Sequence, residues 1–328
     1  MNLTRRHTLV LAGAAALAPA ALRAQPRFPD RAITVLVPFA PGGIADITAR
    51  AVGEHMARSL GQPVVIENKP SAGSIVASQA VATARPDGHT LLLMSNGNAV
   101  SVGLFKKLPP YPGGDPQKDF APISTLGFFD LGIFVAANSR FATLKALLDF
   151  ARANPGKLNV GTIAPGSTQH LSAKLFETVA GIDTLVVPYK GSPAVLTALR
   201  AGEIDVSFEI AGPMVPQVQA GAVRALAVSS DQRNPALPEV PTAAQAGLTG
   251  YEVASWNALA APAGTPPEVM AVLGRAVREA VASAAVRDRL GKLGMRVQGS
   301  SPAELQALLA GEIQRWGGVI RAAKIEPE

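Results

Sequence analysis

The chain has no cysteine, and its only histidines are His7, His55, His89 and His170. The first absence excludes disulfides, thiolate metal sites and cysteine nucleophiles, and so few imidazoles do not assemble a His-rich metal centre. Doing without cross-links poses no difficulty, because a chain of 328 residues buries a large core unaided. Also missing is any run of lysines and arginines that could track a phosphate backbone, so nucleic acid is not expected as a partner. The uncharged stretch Leu9–Ala21 is 13 residues long, short of the roughly 20 that span a bilayer. Neither a metal nor a cofactor is expected.

What stands at the N-terminus has the build of a leader. Thr4-Arg5-Arg6-His7 places two positive charges ahead of the apolar run, and the small-residue stretch Ala18–Ala24 follows it. That order predicts an export signal over residues 1–24, cleaved between Ala20 and Gln25. The paired arginines fit a twin-arginine route, but Thr8 stands where that signal has Phe, so the general secretory route stays open beside it. A membrane-anchoring helix is the weaker alternative. Export makes the periplasm the expected compartment. Loss of Arg5, Arg6 and Arg23 takes Lys plus Arg from 30 to 27 against 24 acids, and the formal charge from +6 to near +3.

Beyond the leader, short β-branched runs alternate with amphipathic helical patterns. Ile33–Val37, Val64–Ile66 and Thr90–Met94 read as buried strands. Residues 45–60 read as a helix with Ile47, Val52, Met56 and Leu60 inward. A second series follows Asp130: the helix face Leu144, Leu147, Leu148 and Ala151, then strands at 158–162, 185–188, 204–208 and 223–228. Strands alternating with helices predict right-handed βαβ units and parallel sheets. One sheet holding them all would be unusually wide, so two α/β lobes are expected. Thr265-Pro266-Pro267-Glu268 and Ser301-Pro302-Ala303-Glu304 both read as capping boxes. The last helix, with Leu305, Leu308, Leu309, Ile313, Trp316 and Ile320 on one side, is expected to return to the first lobe. Residues 109–116 read as an extended surface loop.

Two strand-to-helix turns could carry chemistry. In the first, Pro38-Phe39-Ala40-Pro41-Gly42-Gly43-Ile44-Ala45-Asp46, paired glycines let the backbone bend closely and a helix N-terminus offers free N–H groups to an anion. It is neither a dinucleotide fingerprint nor a phosphate loop. The alternative is a plain tight turn with Asp46 as a first-turn acid favoured by the helix dipole. The second turn, Gly161–His170, places Ser167 and Thr168 at another helix cap. Either turn alone reads more readily as an ordinary cap, but one per lobe suggests a ligand clamped between them. A hydrolase reading of Ser167 and His170 lacks the G-x-S-x-G elbow. Glu203-Ile204-Asp205 reads as a solvated turn and His89 as structural.

These residues resemble a known family. Val37-Pro38-Phe39-Ala40-Pro41-Gly42-Gly43 with Asp46 and Arg50, the segment Leu60–Pro70, Pro86-Asp87-Gly88-His89-Thr90-Leu91, Gly166–Leu171, Val187–Ser192, Arg224–Val228, Leu237–Thr242 and Ala261–Pro266 occur in the order found in tripartite tricarboxylate transporter receptors, the Bug-type periplasmic solute-binding proteins. The resemblance covers almost all of the chain after the leader. It implies a two-lobed Venus-flytrap fold of class α/β, with residues 25–128 and 231–328 in the first lobe and 129–230 in the second. It further implies a monomeric receptor, not an enzyme, that captures a small carboxylate and delivers it to membrane transporter subunits. An exported sensor and, less favoured, an exported α/β enzyme stay as alternatives. The ligand-facing set it implies is Phe39, Gly43, Ile44, Ala45, Asp46, Ser95 and Asn96 from the first lobe, with Ser167, Thr168, His170, Tyr189 and Glu209 from the second. Departures from the family pattern concern the ligand. Ile44 and Ala45 replace small or polar residues, Ser95-Asn96-Gly97-Asn98 replaces Ser-Gly-Thr, and Phe208-Glu209 replaces Phe-Asp. They predict a pocket more apolar near the first turn and a ligand other than citrate.

Overall fold

The computed structural model describes residues 28–104, 114–165 and 167–322. The leader over 1–24, Gly166 and most of the 109–116 loop lie outside the described residues. Strand β1 (Ile33–Val37) leads into helix α1 (Ile44–Leu60), then β2 (Val64–Asn68), α2 (Ile75–Ala82), β3 (Thr90–Ser95) and α3 (Asn96–Leu104). These strands pair in parallel in the order β2–β1–β3. After α4 (Pro116–Asp119) comes the long β4 (Phe120–Ala136), then α5 (Leu144–Ala153), β5 (Asn159–Ile163), α6 (Thr168–Ala180), β6 (Leu185–Tyr189), α7 (Ser192–Ala201), β7 (Val206–Ile210), α8 (Ala211–Gln219) and β8 (Val223–Val228). Here β5 is flanked in parallel by β6 and β7. The chain closes with β9 (Ala254–Pro262), α9 (Pro267–Ala282), α10 (Ala284–Gly291), β10 (Met295–Val297) and α11 (Pro302–Ala322).

The predicted strands recur within two residues of their expected bounds, but the sheet is mixed rather than parallel. Strand β9 runs antiparallel between β3 and β4, and β4 continues antiparallel to β7, β8 and β10. Neither β4 nor β9 has the alternation that betrays a half-buried strand. Every residue of β9 after Ala254 is buried, and four of its nine residues are alanine. Strand β4 carries Pro122, Gly127 and Gly132, and its pairing slips at Pro122/Ser124, Thr125/Gly127 and Ile133/Phe134. Its first part lies beside β9 and its last part beside β7 and β8, so one strand threads both halves of the sheet. The return passage runs alongside it: Ser229 N–H donates to Leu131 O at 2.8 Å and Val253 N–H to Ser229 O at 3.0 Å.

In α1 the inward face is made of small residues. Ala45, Thr48, Ala49, Val52, Gly53 and Met56 are buried, while Ile47 and Leu60 are half-buried. Gly53 lets the helix lie close on β2, where a Cβ would sit 3.1 Å from the Val64 side chain. Helix α5 buries Leu144, Leu147, Leu148 and Ala151, the face read from the sequence. Helix α11 buries Leu305, Leu309, Trp316 and Ile320, packs on α3 and β4, and also touches α6.

Of the two expected capping boxes, one forms. Ser301 Oγ accepts from Glu304 N at 3.2 Å, and Ser301 N donates to Glu304 Oε2 at 2.7 Å. At the other site Thr265 Oγ1 turns back to Pro262 O at 2.8 Å, and Pro266 becomes the N-cap with an extended ψ of 142°. The reason is the second proline, which bars its predecessor from helical ψ and moves the start to Pro267. Ser301→Ala should therefore lower unfolding stability by about 1 kcal/mol, and Thr265→Ala should leave the start of α9 uncapped as before. Equilibrium denaturation of the two variants checks the contrast.

Candidate functional site

In each parallel set the chain leaves the central strand to one side and later returns on the other. The reversal falls between β1 and β3 in one set and between β5 and β7 in the other. Crevices beyond the carboxyl ends of strands at such reversals are where open α/β sheets hold ligands. Both turns singled out in the sequence lie there, one after β1 and one after β5.

The first turn is held from behind by Asp46. Its Oδ2 accepts from Gly42 N at 3.0 Å and from Arg50 Nε at 3.1 Å, while Oδ1 lies 2.9 Å from Arg50 Nη2. Asn68 Nδ2 ties down Phe39 O at 2.9 Å. Burial pushes the Asp46 carboxyl up, but the hydrogen bonds from Arg50 and Gly42 outweigh it and hold the group below the usual carboxylate range. Asp46 is thus spent on shaping the turn, with Gly42 at φ +79° as its bend. Gly43 caps α1 in an extended conformation and has no side chain to occupy the first-turn N–H groups. Ala45 is buried in the core, and Phe39 and Ile44 pack against that core half-buried. The side chains of this turn therefore scaffold it, and its open hydrogen-bonding groups are backbone.

Ser95 ends β3 and Asn96 opens α3 on the other side of the reversal. Ser95 Oγ accepts from Gly97 N at 3.2 Å, and Asn96 Nδ2 donates to Ala254 O at 3.1 Å, leaving Asn96 Oδ1 buried without a partner.

At the second turn Ser167 caps α6, its Oγ accepting from His170 N at 3.2 Å. That bond is to the backbone, so the pair is a cap and not a nucleophile with its base. Thr168 Oγ1 shares a hydrogen bond at 3.0 Å with Ser255 Oγ on β9, a contact that joins the two halves of the sheet. Glu209, at the end of β7, is buried. Its Oε2 accepts from Ser192 Oγ at 2.8 Å and Gln169 Nε2 at 3.4 Å, and its Oε1 has no partner. Burial pushes its carboxyl up to about 7. Burial, aided by Lys174, pushes His170 down to about 4, so its ring is neutral near pH 7. Tyr189 ends β6, one strand away from the reversal, and packs half-buried against the cluster of Phe134, Val195 and Ala211.

Gln169, Ser192, Ser255 and Asn257 were not among the expected residues. Gln169 and Ser192 stood inside motifs already noticed, at the first turns of α6 and α7. Ser255 and Asn257 were hidden because β9 itself was. Elsewhere, Asp205 proves structural, its Oδ2 accepting from Asn159 N at 2.9 Å. His89 sits between Asp30 and Asp87 at 3.1 and 3.2 Å, as a structural residue should. A separate groove of about 690 Å³ between the end of α1 and α9, lined by Phe28, Leu60, Val269 and Arg275, shares no residue with either turn and holds none of the unpartnered buried atoms. Among the described residues no group of three or more His, Asp or Glu side chains could hold a metal ion, and no helix is long and apolar enough to cross a membrane.

Comparison with known proteins places this arrangement. The chain is similar to MatC from Rhodopseudomonas palustris with bound malate, at 36% identity and a TM-score of 0.83 over 89% of this chain and 100% of that one. It is similar to R. palustris Rpa4515 with adipate, at 33% identity and a TM-score of 0.85 over 92% and 100%. It is also similar to the periplasmic binding protein BugD, at 31% identity and a TM-score of 0.84 over 92% and 100%. The fold is thus that of the two-lobed periplasmic binding proteins. Residues 48–325 match the family model described as tripartite tricarboxylate transporter family receptor, and with the turn geometry above this chain belongs to that family of solute-binding receptors.

Proposed function

We propose that the protein is a periplasmic receptor that closes on a small carboxylate and presents it to membrane transport subunits, without chemical turnover. The observation that carries this reading is the pair of helix N-termini at the two chain reversals. Each is held in place by side chains bonded within its own turn, so that backbone N–H groups are left to meet an anion. No lysine or arginine stands in either turn, and oriented dipoles suffice for one carboxylate. The malate and adipate of the related structures are ligands of this class. In the proposed division, residues 25–128 and 231–328 form one lobe and 129–230 the other, with residues 1–24 as the export signal. Passages at Asp130–Leu131 and Ser229–Val253 would serve as hinges. A ligand touching both turns makes its full set of contacts only when the lobes are together, and so draws the open form toward the closed one.

The test is a thermal-shift screen of residues 25–328, unfolded and refolded first to strip retained ligand. Mono-, di- and tricarboxylates and aromatic acids form the panel, with nucleotides as controls. Ligand at about a thousand times its Kd stabilises by about 4 kcal/mol, a rise of several degrees. The expected result is a rise with one carboxylate class, with the ligand recovered unchanged. A rise with nucleotides alone, or conversion of the ligand, overturns the reading.

A further inference from the structure

Buried polar atoms of a folded protein are almost all paired, so those left single point to what the molecule is built to meet. Around the two chain reversals they include the acceptors Asn96 Oδ1, Asn257 Oδ1 and Glu209 Oε1, together with Ser207 Oγ and His170 Nδ1, which can donate or accept; Asp46 Oδ1 is ion-paired with Arg50. The neighbours decide which atom of each group is free. Asn96 Nδ2 donates to Ala254 O at 3.1 Å and Asn257 Nδ2 to Trp256 O at 3.0 Å. Flipping either amide would set oxygen against carbonyl oxygen, so the single atom is the acceptor. For Glu209 the fixed atom is Oε2, clamped by Ser192 Oγ at 2.8 Å and Gln169 Nε2 at 3.4 Å from the first turns of α7 and α6. Glu209 is only 2% exposed, and no side-chain donor reaches Oε1. Trp256, one residue out of step with Ser255 and Asn257, carries its indole N–H on the opposite face of β9, where it acts on the Glu312 carboxyl.

Near helix N-termini whose free groups are backbone donors, Asn96 Oδ1, Asn257 Oδ1 and Glu209 Oε1 are thus acceptors without a donor. We propose that Glu209 Oε1 receives a hydrogen bond from the ligand, so that the site selects carboxylates carrying a hydroxyl or ammonium group near the carboxylate over the unsubstituted acids. This rests on the receptor reading above and specifies its ligand. Gln169 clamps Glu209 from the same helix turn whose N–H groups meet the carboxylate, which sets the donor within a carbon or two of it. The preference holds for ionised Glu209. Once protonated, the group carries its proton on Oε1, because Oε2 already accepts twice, and Oε1 then donates and suits a plain carboxylate. No charged side chain acts on Glu209: what opposes its burial is Ser192, Gln169 and the N–H of Ile210. On α6, His170 stays neutral above about 4, and Lys174 is paired with Glu177 at 2.8 Å.

Glu209→Gln makes the test sharp. The two donors at the outer position hold the amide oxygen there, so the inner atom becomes an NH₂ donor in an isosteric side chain. Calorimetric titrations would compare succinate with malate and aspartate, propionate with lactate and alanine, and glutarate with 2-hydroxyglutarate and glutamate, at pH 8.5 and 5.5. In the wild type the best-binding set should favour its hydroxy or amino member about tenfold or more at pH 8.5, as a buried acceptor that loses its partner predicts. That ratio should fall toward one at pH 5.5, and in Glu209→Gln it should be near or below one at both pH values. A ratio that ignores both pH and the substitution, or unsubstituted acids that bind as tightly as their partners at pH 8.5, overturns the assignment while leaving the receptor intact. Binding by no carboxylate at either pH overturns both.

Discussion

Glu209→Gln should make the ligand-free protein more stable than the wild type at pH 8 by up to about 3 kcal/mol, and no more stable than it at pH 4. Burial raises the Glu209 carboxyl from 4.5 to about 7. Between those values the folded state holds a proton that the unfolded state has released, so stability falls as pH rises through that window and stays reduced above it. Glutamine never ionises and escapes the loss. His170 contributes the opposite slope. Its ring is pushed from 6.5 down to about 4, first by burial and then by Lys174. Over that window the unfolded state binds the extra proton, so stability rises with pH. The two slopes oppose one another where the windows overlap, from about 4.5 to 6.5. Glu209 should therefore offset the rise due to His170 in the wild type, and Glu209→Gln should climb more steeply than the wild type across that window. Urea denaturation at half-unit pH steps reads both curves. Parallel curves across the whole range would show that Glu209 titrates in the folded protein as it does in the unfolded chain.

That a carboxyl so placed could be named from the sequence at all was due to its motif, not to its environment. Phe208-Glu209 stood out because a Phe-Asp pair was expected, yet its clamp by Ser192 and Gln169 depends on α6 and α7 starting side by side, which no local pattern encodes. The parallel strands were legible because β-branched runs such as Ile33–Val37 and Val223–Val228 end abruptly at turn residues. Strands β4 and β9 were not. Buried on both faces, they have no period to read, and alanine-rich β9 carries little strand propensity. Missing them concealed the antiparallel middle of the sheet and, with it, Ser255 and Asn257. The turns were legible as turns, with Asp46 as a first-turn acid, but its bond to Gly42 N was not. Asp46 accepts directly from Gly42 N and pairs with Arg50, because an acid in the first helical turn can reach back to the loop before it as easily as forward. Ile44 and Ala45 likewise face the core, so their apolar character in place of polar residues bears on packing before it bears on any ligand.

Gly212→Ala is the substitution expected to disturb the molecule most for the fewest atoms added. Gly212 is the second residue of α8, which follows directly on β7, the strand that carries Glu209. A Cβ built there would lie 1.4 Å from Leu293 O and 2.2 Å from its carbonyl carbon. A Cβ on Gly294 would in turn lie 2.7 Å from Gly212 Cα. Backbone meets backbone here, so no side chain can rotate away and the two segments must part. Overpacking of this kind costs about 1–3 kcal/mol, which lowers Tm by several degrees. The Leu293–Gly294 turn leads into β10, and β10 pairs with residues 127–129 of β4. In the proposed division the contact therefore crosses from the second lobe to the first, beside the hinge. Wedging it open should favour separated lobes and weaken ligand binding by more than the loss of stability alone explains, since the binding-competent state becomes a smaller fraction of the population. Gly311→Ala is the control: in the exposed middle of α11, with nothing within 4 Å of the added Cβ, it should instead gain about 0.5–1 kcal/mol from helix propensity. Thermal melts with and without the best carboxylate of the screen measure both effects. A Gly212→Ala variant that melts lower yet binds with unchanged affinity would place the Gly212–Leu293 contact in the open and closed forms alike, and would remove it from the closure mechanism.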